Sequence, residues 1–135
     1  MAERLPFNSL QKAIYSRLTD AEDGIETSVY DQVPGTISPP YVELGEISVS
    51  LEIEKISEAM ALLHVFSQEA GNKEANDIME NIIESLTSSA LSLDESFSQA
   101  QCRIDSADIF KEYHADGLLN RHGTLRFRFL INDNA

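Results

Sequence analysis

A single cysteine, Cys102, is present among the 135 residues, and tryptophan is absent. One thiol cannot form an internal disulfide, and it excludes zinc sites that need several cysteines. No apolar run approaches the roughly 18 residues that a membrane span requires, and the N-terminal MAERLPFNS lacks the apolar stretch of a signal peptide. These absences predict a protein of the reducing cytoplasm with no membrane partner.

Basic residues are also scarce. Ten Lys and Arg stand against 23 Asp and Glu, which gives a formal net charge of −13. The imbalance lies in residues 20–99, which carry 17 acids and only two bases, Lys55 and Lys73. Because sequence-independent binding to nucleic acid needs clustered Lys and Arg, this middle segment should repel DNA. The hydrophobic fraction of 42% is that of a folded protein, and the length predicts a single domain over residues 1–135.

Two segments have the apolar spacing of an amphipathic helix. The first is SLQKAIYSRLTD (9–20), where Asn8 or Ser9 is available as the cap. The second is NKEANDIMENIIESLTSSAL (72–91), in which Glu74 suits the positive end of the helix dipole. Only one face of the second segment is apolar, which predicts that this helix lies on a sheet.

Four runs have the pattern of β-strands: YVELGEISVSLEIE (41–54), EAMALLHVFSQ (58–68), SQAQCRIDSAD (98–108) and TLRFRFLI (124–131). The apolar parity of the first run switches across Gly45, which predicts a β-bulge there. In the third run, Ala100, Cys102, Ile104 and Ser106 share the predicted inward face. In the fourth, Arg126 and Arg128 point outward.

The order of these elements, α-β-β-α-β-β, predicts an α+β fold. Adjacent strands should pair in an antiparallel sheet of about four strands, with both helices on one face. The first two strands form an extended β-hairpin whose arm covers about residues 47–58. Its apolar side chains have no evident partner within the chain, which makes them candidates for contacts with other copies: Ile47, Val49, Leu51 and Ile53.

Three of the four prolines lie in VYDQVPGTISPPYVELGE (29–46). Pro39 and Pro40 restrict the backbone, so the chain should enter Tyr41 extended, and Val29 with Tyr30 can add a short edge strand. Few polar groups in the loop could converge on a small ligand. We therefore interpret it as a brace that presents Tyr30 and Tyr41 to a protein partner.

Catalytic and metal-binding motifs are missing from the sequence. No G-x-S-x-G or glycine-rich phosphate loop is present, and His114, Asp116 and His122 lack the spacing of ligands on one rigid face. His64 has the context of a core or interface histidine, and Cys102 that of a buried thiol. The sequence predicts no enzyme, no cofactor and no metal.

The succession of LQKAIYSRL, VYDQVP…PPYVELGE, LLHVFSQEAGNKEA and HGTLRFRF resembles the tail-completion proteins of long-tailed bacteriophages, also called tail terminators. The resemblance extends from about residue 9 to about residue 130. It implies a non-enzymatic α+β subunit of a ring, typically a hexamer, that caps the tail tube and joins it to the head connector. The implied location is the head-proximal end of the tail, after assembly in the host cytoplasm.

The implied partners are other copies of the chain, the tail tube protein, the connector and DNA that passes through without specific binding. Arg126 and Arg128 become candidates for a contact with the acidic middle of the next copy. Candidates for an acidic lumen are the loop residues Asp20, Glu22 and Asp23, or Glu52 and Glu54 on the hairpin. An alternative function is a small acidic inhibitor that mimics DNA and binds a nuclease or another DNA-binding protein.

Overall fold

The computed structural model describes residues 4–94, 96–113 and 119–135. The elements, in chain order, are α1 (Phe7–Leu18), β1 (Val29–Tyr30), β2 (Tyr41–Ile53), β3 (Ile56–Ser67), α2 (Lys73–Thr87), β4 (Phe97–Tyr113) and β5 (Leu119–Asp133). The α+β class and the two helices are confirmed. Among the described residues, neither helix is long and apolar enough to cross a bilayer.

The sheet has five strands rather than four, in the order β1-β2-β3-β5-β4. The added strand, β1, is parallel to β2, with Val29 opposite Val42 and Tyr30 opposite Glu43. The predicted order α-β-β-α-β-β with four antiparallel strands is therefore wrong in detail. The parallel pair forms because the proline-containing loop of residues 31–40 returns the chain to the starting end of β1 before β2 begins.

The centre of the sheet is the antiparallel pair of β3 and β5, although α2 and β4 separate them in the chain. Their register continues without a shift from Ile56 opposite Asn132 to Ser67 opposite Arg121. Alternate residues of both strands are buried, and the rest are half-buried or exposed. This strict alternation makes one face of the sheet the core and leaves the other facing outward.

Both helices contribute to the buried face. The large side chains with the least exposure belong to α1, β2, β3, α2 and β5, and form one cluster: Leu10, Ile14, Leu18, Val42, Leu63, Val65, Ile82, Leu86, Leu125, Phe127, Phe129 and Ile131. Gly123 of β5 lies next to α2, where a Cβ would come within 2.6 Å of the sulfur of Met79, so a larger residue there would require the Met79 side chain to move. The second predicted helix therefore lies on the sheet as expected.

Bulges decide which side chains face outward. The register shifts between Leu44 and Ile47, which confirms the bulge predicted at Gly45. A Cβ at Gly45 would lie 2.7 Å from the Leu62 carbonyl oxygen and 2.9 Å from the His64 ring. In β4 a shift between Gln99 and Gln101 leaves Ala100 exposed, and a second shift, between Ile104 and Ser106, places Ser106 opposite Arg126 on the outer face. The predicted inward orientation of Ala100 and Ser106 is therefore wrong.

Candidate assembly surface

The outer face of the sheet carries an aromatic patch at the end where β2 begins and β3 ends. It contains Tyr30, Tyr41, His64, Phe66, Phe110 and His122. Tyr30 and Tyr41 meet edge to face with ring centroids 6.2 Å apart, and Tyr41 lies 5.1 Å from Phe66. The ring of His122 stacks on Phe66 at 4.3 Å. Tyr30 and Tyr41 are thus held side by side on one surface.

Two histidines contact each other within the patch. Nδ1 of His64 lies 2.9 Å from Nε2 of His122. One of these nitrogens must therefore carry a hydrogen and donate the hydrogen bond, while the other accepts it. On its other side, Nδ1 of His122 is 3.2 Å from Oε2 of Glu112. Burial, followed by the charge of His122, lowers the pKa of His64, while Glu46, Glu43 and Glu112 oppose this shift. The pair is therefore best accommodated with His64 neutral.

This arrangement predicts a loss of stability on mild acidification. Since the pKa of His64 is lower in the folded chain than the usual value of about 6.5, the unfolded chain binds more protons. The contribution of neutral His64 to the free energy of unfolding is therefore complete above about pH 6.5, the usual pKa. It is lost as the pH falls from there through the lower pKa of the folded chain. The free energy of unfolding is measured by urea denaturation of wild type and His64→Gln between pH 7.5 and 5. It should fall less steeply with decreasing pH in the variant than in wild type. Equal slopes would contradict this prediction.

Three arginines form a basic cluster in the middle of the outer face. Arg103 of β4 lies directly opposite Arg128 of β5, and Arg126 is two residues further along β5. Arg128 pairs with Glu58 of the same chain at 2.5 Å, so its charge is already compensated. Neither Arg103 nor Arg126 makes an ion pair with another described residue. Arg103 and Arg126 can therefore attract an anionic partner. Arg103 was not among the sequence-based candidates, although its outward orientation follows from its place between Cys102 and Ile104, which were predicted to face inward.

The four apolar candidates of the hairpin fall into two groups. Ile47 and Val49 pack against the core from the helix side. Leu51 and Ile53, in contrast, are 47% and 64% exposed. They belong to the hairpin tip, residues 51–55, together with the exposed acids Glu52 and Glu54. The free apolar surface is therefore confined to the tip, rather than extending over the whole arm of residues 47–58.

The acidic loop after α1 has a structural role in part. Oδ2 of Asp20 accepts hydrogen bonds from the backbone N–H groups of Glu22 and Asp23, and these bonds lower the pKa of Asp20. Glu22 and Asp23 are themselves exposed, and with Glu26 and Glu84 they line a polar cleft of about 560 Å³ beside α2. The loop residues Asp20, Glu22 and Asp23 thus lie near the helices, while Glu52 and Glu54 lie on the hairpin.

No catalytic arrangement emerges from the described residues. Burial raises the pKa of Cys102 to about 12, which keeps the thiol protonated and unreactive near neutral pH. No group of three or more potential metal ligands occurs among residues 4–94, 96–113 and 119–135. His114 and Asp116, which were considered with His122 as metal ligands, lie outside the described residues.

Comparison with solved structures supports the same fold. A chain in the structure entitled "Virion of native gene transfer agent (GTA) particle" is similar with a TM-score of 0.78 and 25% identity, over 96% of this chain and 99% of that one. The gp17 protein of bacteriophage SPP1 is similar with a TM-score of 0.57 and 24% identity, over 98% of this chain and 99% of that one. No curated protein matches in sequence.

The sequence also matches a protein family described as "Tail completion protein gp17" over residues 12–132. This match includes α2, the sheet up to the last residue of β5, and α1 from Lys12 onward. The residues that carried the sequence resemblance lie largely within the matched range. The chain therefore belongs to the phage tail completion protein gp17 family.

Proposed function

We propose that this protein is a virion subunit that forms a ring, caps the completed tail tube and joins it to the head connector. The family match over residues 12–132 carries this proposal. It is supported by similarity to a chain within a gene transfer agent virion. The ring is proposed to be a hexamer at the head-proximal end of the tail, assembled in the host cytoplasm, with DNA passing through its lumen.

The surface of the subunit suits such an assembly. Its helices cover one face of the sheet, and the outer face presents an aromatic patch and two arginines, Arg103 and Arg126, that make no ion pair with another described residue. Surfaces of this kind mark contacts with other proteins. A closed ring needs two different patches on each subunit, one for each neighbour. The surfaces that remain can bind the tail tube protein and the connector.

The direct test is the fate of tails in particles that lack this subunit. Tails without it should fail to join heads, and added protein should restore joining. Native mass measurement should show a closed ring for the free chain or for the chain bound to tail tubes lacking it. Tails that join heads at the normal frequency without the subunit would contradict the proposed function.

A second candidate function is mimicry of DNA by an acidic surface. The cleft lined by Glu22, Asp23, Glu26 and Glu84 favours this candidate, because the carboxylates gather on one side of the molecule. A mimic should remain a monomer or dimer and should inhibit a nuclease or displace DNA from a DNA-binding protein. The ring and the mimic are therefore separated by the same mass measurement.

The arginine cluster gives a prediction about ring contacts. Arg126→Glu should weaken the association between subunits about tenfold and make that association less sensitive to salt. The reason is that the acidic middle segment of the next copy would no longer be attracted to a positive charge at this position. Arg126 is the better target than Arg128, whose replacement would also break the pair with Glu58. Association is measured by sedimentation between about 50 and 500 mM salt.

The matched control is Lys12→Glu, which makes the same charge change on an exposed residue of α1 and breaks only a long, exposed contact of 3.5 Å with Asp94. It should leave assembly close to that of wild type. Equal effects of Arg126→Glu and Lys12→Glu would show that total charge, rather than this contact, governs association.

A further inference from the structure

The five-stranded sheet has two free edges, one on each side. β4 forms one edge, because it pairs only with β5. β2 forms the other edge beyond Glu43, because the two residues of β1 cover only Val42 and Glu43. Among the described residues, no other strand pairs with either edge. The unpaired N–H and C=O groups of an edge strand are available for pairing with another chain.

Both edge strands bend at the same level of the sheet, where residues are called level if directly opposed residues of the intervening strands connect them. In β2, Gly45 and Glu46 together lie opposite Leu62 of β3. Leu62 lies opposite Arg126 of β5, and the second bulge of β4 lies at this same arginine. A bulge bends its strand and increases the local twist. The two edges are therefore bent alike, which allows one to run alongside the other.

On the helix side, the two edges carry apolar residues at matching levels. Ile47 of β2 is level with Ile104 of β4. Val49 is level with Cys102 in the same way. All four side chains are only partly buried against the core. Joining the two edges would remove more of this apolar surface from water, which favours association.

On the outer face, the two edges carry opposite charges. Arg103 of β4 is level with Ser48 of β2, and Glu46 is two residues from Ser48. Glu46 and Arg103 are both exposed. Residues that lie diagonally on adjacent strands are within reach of long side chains. Joined edges would therefore bring the arginine of one copy to the glutamate of the next.

One acid of β4 also lies at the level of Glu46. It is Asp105, the extra residue of the second bulge. The three arginines of the basic cluster lie around it on the same face, and one of them pairs with Glu58. Three bases against two acids leave one positive charge, which Glu46 of the next copy would balance.

The directions of the strands also fit a ring. β2, β3, β5 and β4 are each antiparallel to the next, so β2 and β4 run in opposite directions. Copies related by rotation about an axis along the strands keep these directions. β2 of one copy would therefore meet β4 of the next as an antiparallel pair, in the head-to-tail manner that a closed ring needs.

We infer that the free edge of β2 in one copy pairs with the free edge of β4 in the next copy, so that one sheet continues from subunit to subunit. This inference rests on the proposed ring. The occupant of each edge is a second copy because the chain carries both edges, with matching bends, apolar residues and charges.

Oxidation of paired cysteines tests the contact directly. In a Cys102→Ala background, Ser48→Cys together with Arg103→Cys should give a ladder of disulfide-linked species that ends at the closed ring. Within one chain, β3 and β5 separate these positions, so their Cα atoms lie three strand spacings, or about 14 Å, apart. A disulfide needs Cα atoms within about 7 Å of each other, so every link joins two copies.

Further cysteine pairs cover the neighbouring registers and supply the control. Ser48→Cys is combined with Gln101→Cys and with Ser106→Cys, which lie on the same face of β4. A ladder from any of the three pairs supports joined edges, and the pair that links fastest gives the register. Ser48→Cys with Glu80→Cys, an exposed position on α2, should give no ladder. Dimers from Ser48→Cys or Arg103→Cys alone would show that like edges pair across a twofold axis and would overturn the head-to-tail contact.

A charge exchange gives an independent readout. Arg103→Glu should associate at least about tenfold more weakly than wild type, because it places a third carboxylate beside Glu46 and Asp105. Adding Glu46→Arg to the same chain should restore association, since the new arginine meets the new glutamate of the next copy. Within one chain these positions are separated by more than the Debye length of about 10 Å, so the recovery is between copies.

Matched controls make the same charge changes away from both edges. Lys73→Glu alters an exposed residue of α2 and should associate like wild type. Glu80→Arg, added to Arg103→Glu in place of Glu46→Arg, should not restore association. Assembly is measured by native mass spectrometry at about 100 mM salt and, in parallel, on tail tubes that lack this subunit.

The outcomes separate this contact from the proposed function. The ladder, together with recovery by Glu46→Arg but not by Glu80→Arg, would support the contact. Closed rings that give no ladder from any of the three cysteine pairs would overturn it. Absence of wild-type rings both in solution and on tubes would overturn the proposed function and this contact with it.

Discussion

Phe127→Ala should lower the free energy of unfolding by about 3–5 kcal/mol, the usual cost of removing a fully buried aromatic side chain. Phe127 is completely buried and lies on β5, between Ala61 of β3 and Ile104 of β4. Its ring also packs against Phe129, with centroids 6.4 Å apart. Neighbouring strands on both sides restrict the collapse of the cavity, which places the cost in the upper part of this range. Urea and thermal denaturation measure the change, and the melting temperature should fall by roughly 15 °C.

The matched control is Leu51→Ala, which removes an exposed side chain at the hairpin tip. Its free energy of unfolding should remain within about 0.5 kcal/mol of wild type. A similar loss for both variants would mean that the sheet is not held by the buried face of β5. A small loss at Phe127 alone would mean that the core repacks around the missing ring.

The sequence predicted those parts of the fold that depend on local periodicity. The apolar stripe of α2 and the alternation of β5 each follow from spacing within one element, and both are present in the structure. The bulge at Gly45 was also predictable, because the switch in parity is visible in the first strand. Even β1 was suggested by Val29 and Tyr30, although its parallel pairing depends on the path of a ten-residue loop.

Features that depend on pairing between distant residues could not be predicted. The contact between His64 and His122 joins residues 58 apart in the chain and requires β3 to lie beside β5. The bulge before Ser106 leaves no local signal such as glycine or proline, so the outward face of β4 was assigned incorrectly beyond Ile104. The pairing of Arg128 with Glu58 likewise follows from sheet order, and it separates this arginine from Arg126.

Replacement of lumen carboxylates by lysine should slow DNA delivery without changing tail length or head joining. Duplex DNA carries roughly one negative charge per 1.7 Å, so a basic lining would hold the duplex while an acidic lining repels it. The candidates for that lining form two sets: Glu22 with Asp23, and Glu52 with Glu54. Asp20 is unsuitable for substitution because its carboxylate accepts two hydrogen bonds within its own loop.

Each set is replaced separately in complete particles, and the rate of DNA release is measured between about 20 and 200 mM salt. The lumen set should slow release most strongly at low salt, where screening of the charges is weakest. The control is Glu69→Lys with Glu80→Lys, which makes the same charge change on two exposed residues. Glu69 precedes α2 and Glu80 lies within it. If Glu52→Lys with Glu54→Lys instead prevents ring formation, these two acids belong to the contact between subunits. Glu22 and Asp23 then remain as the candidates for the lumen lining. A normal rate of DNA release at low salt from both lysine variants would contradict the prediction that charges on the lumen lining affect DNA delivery.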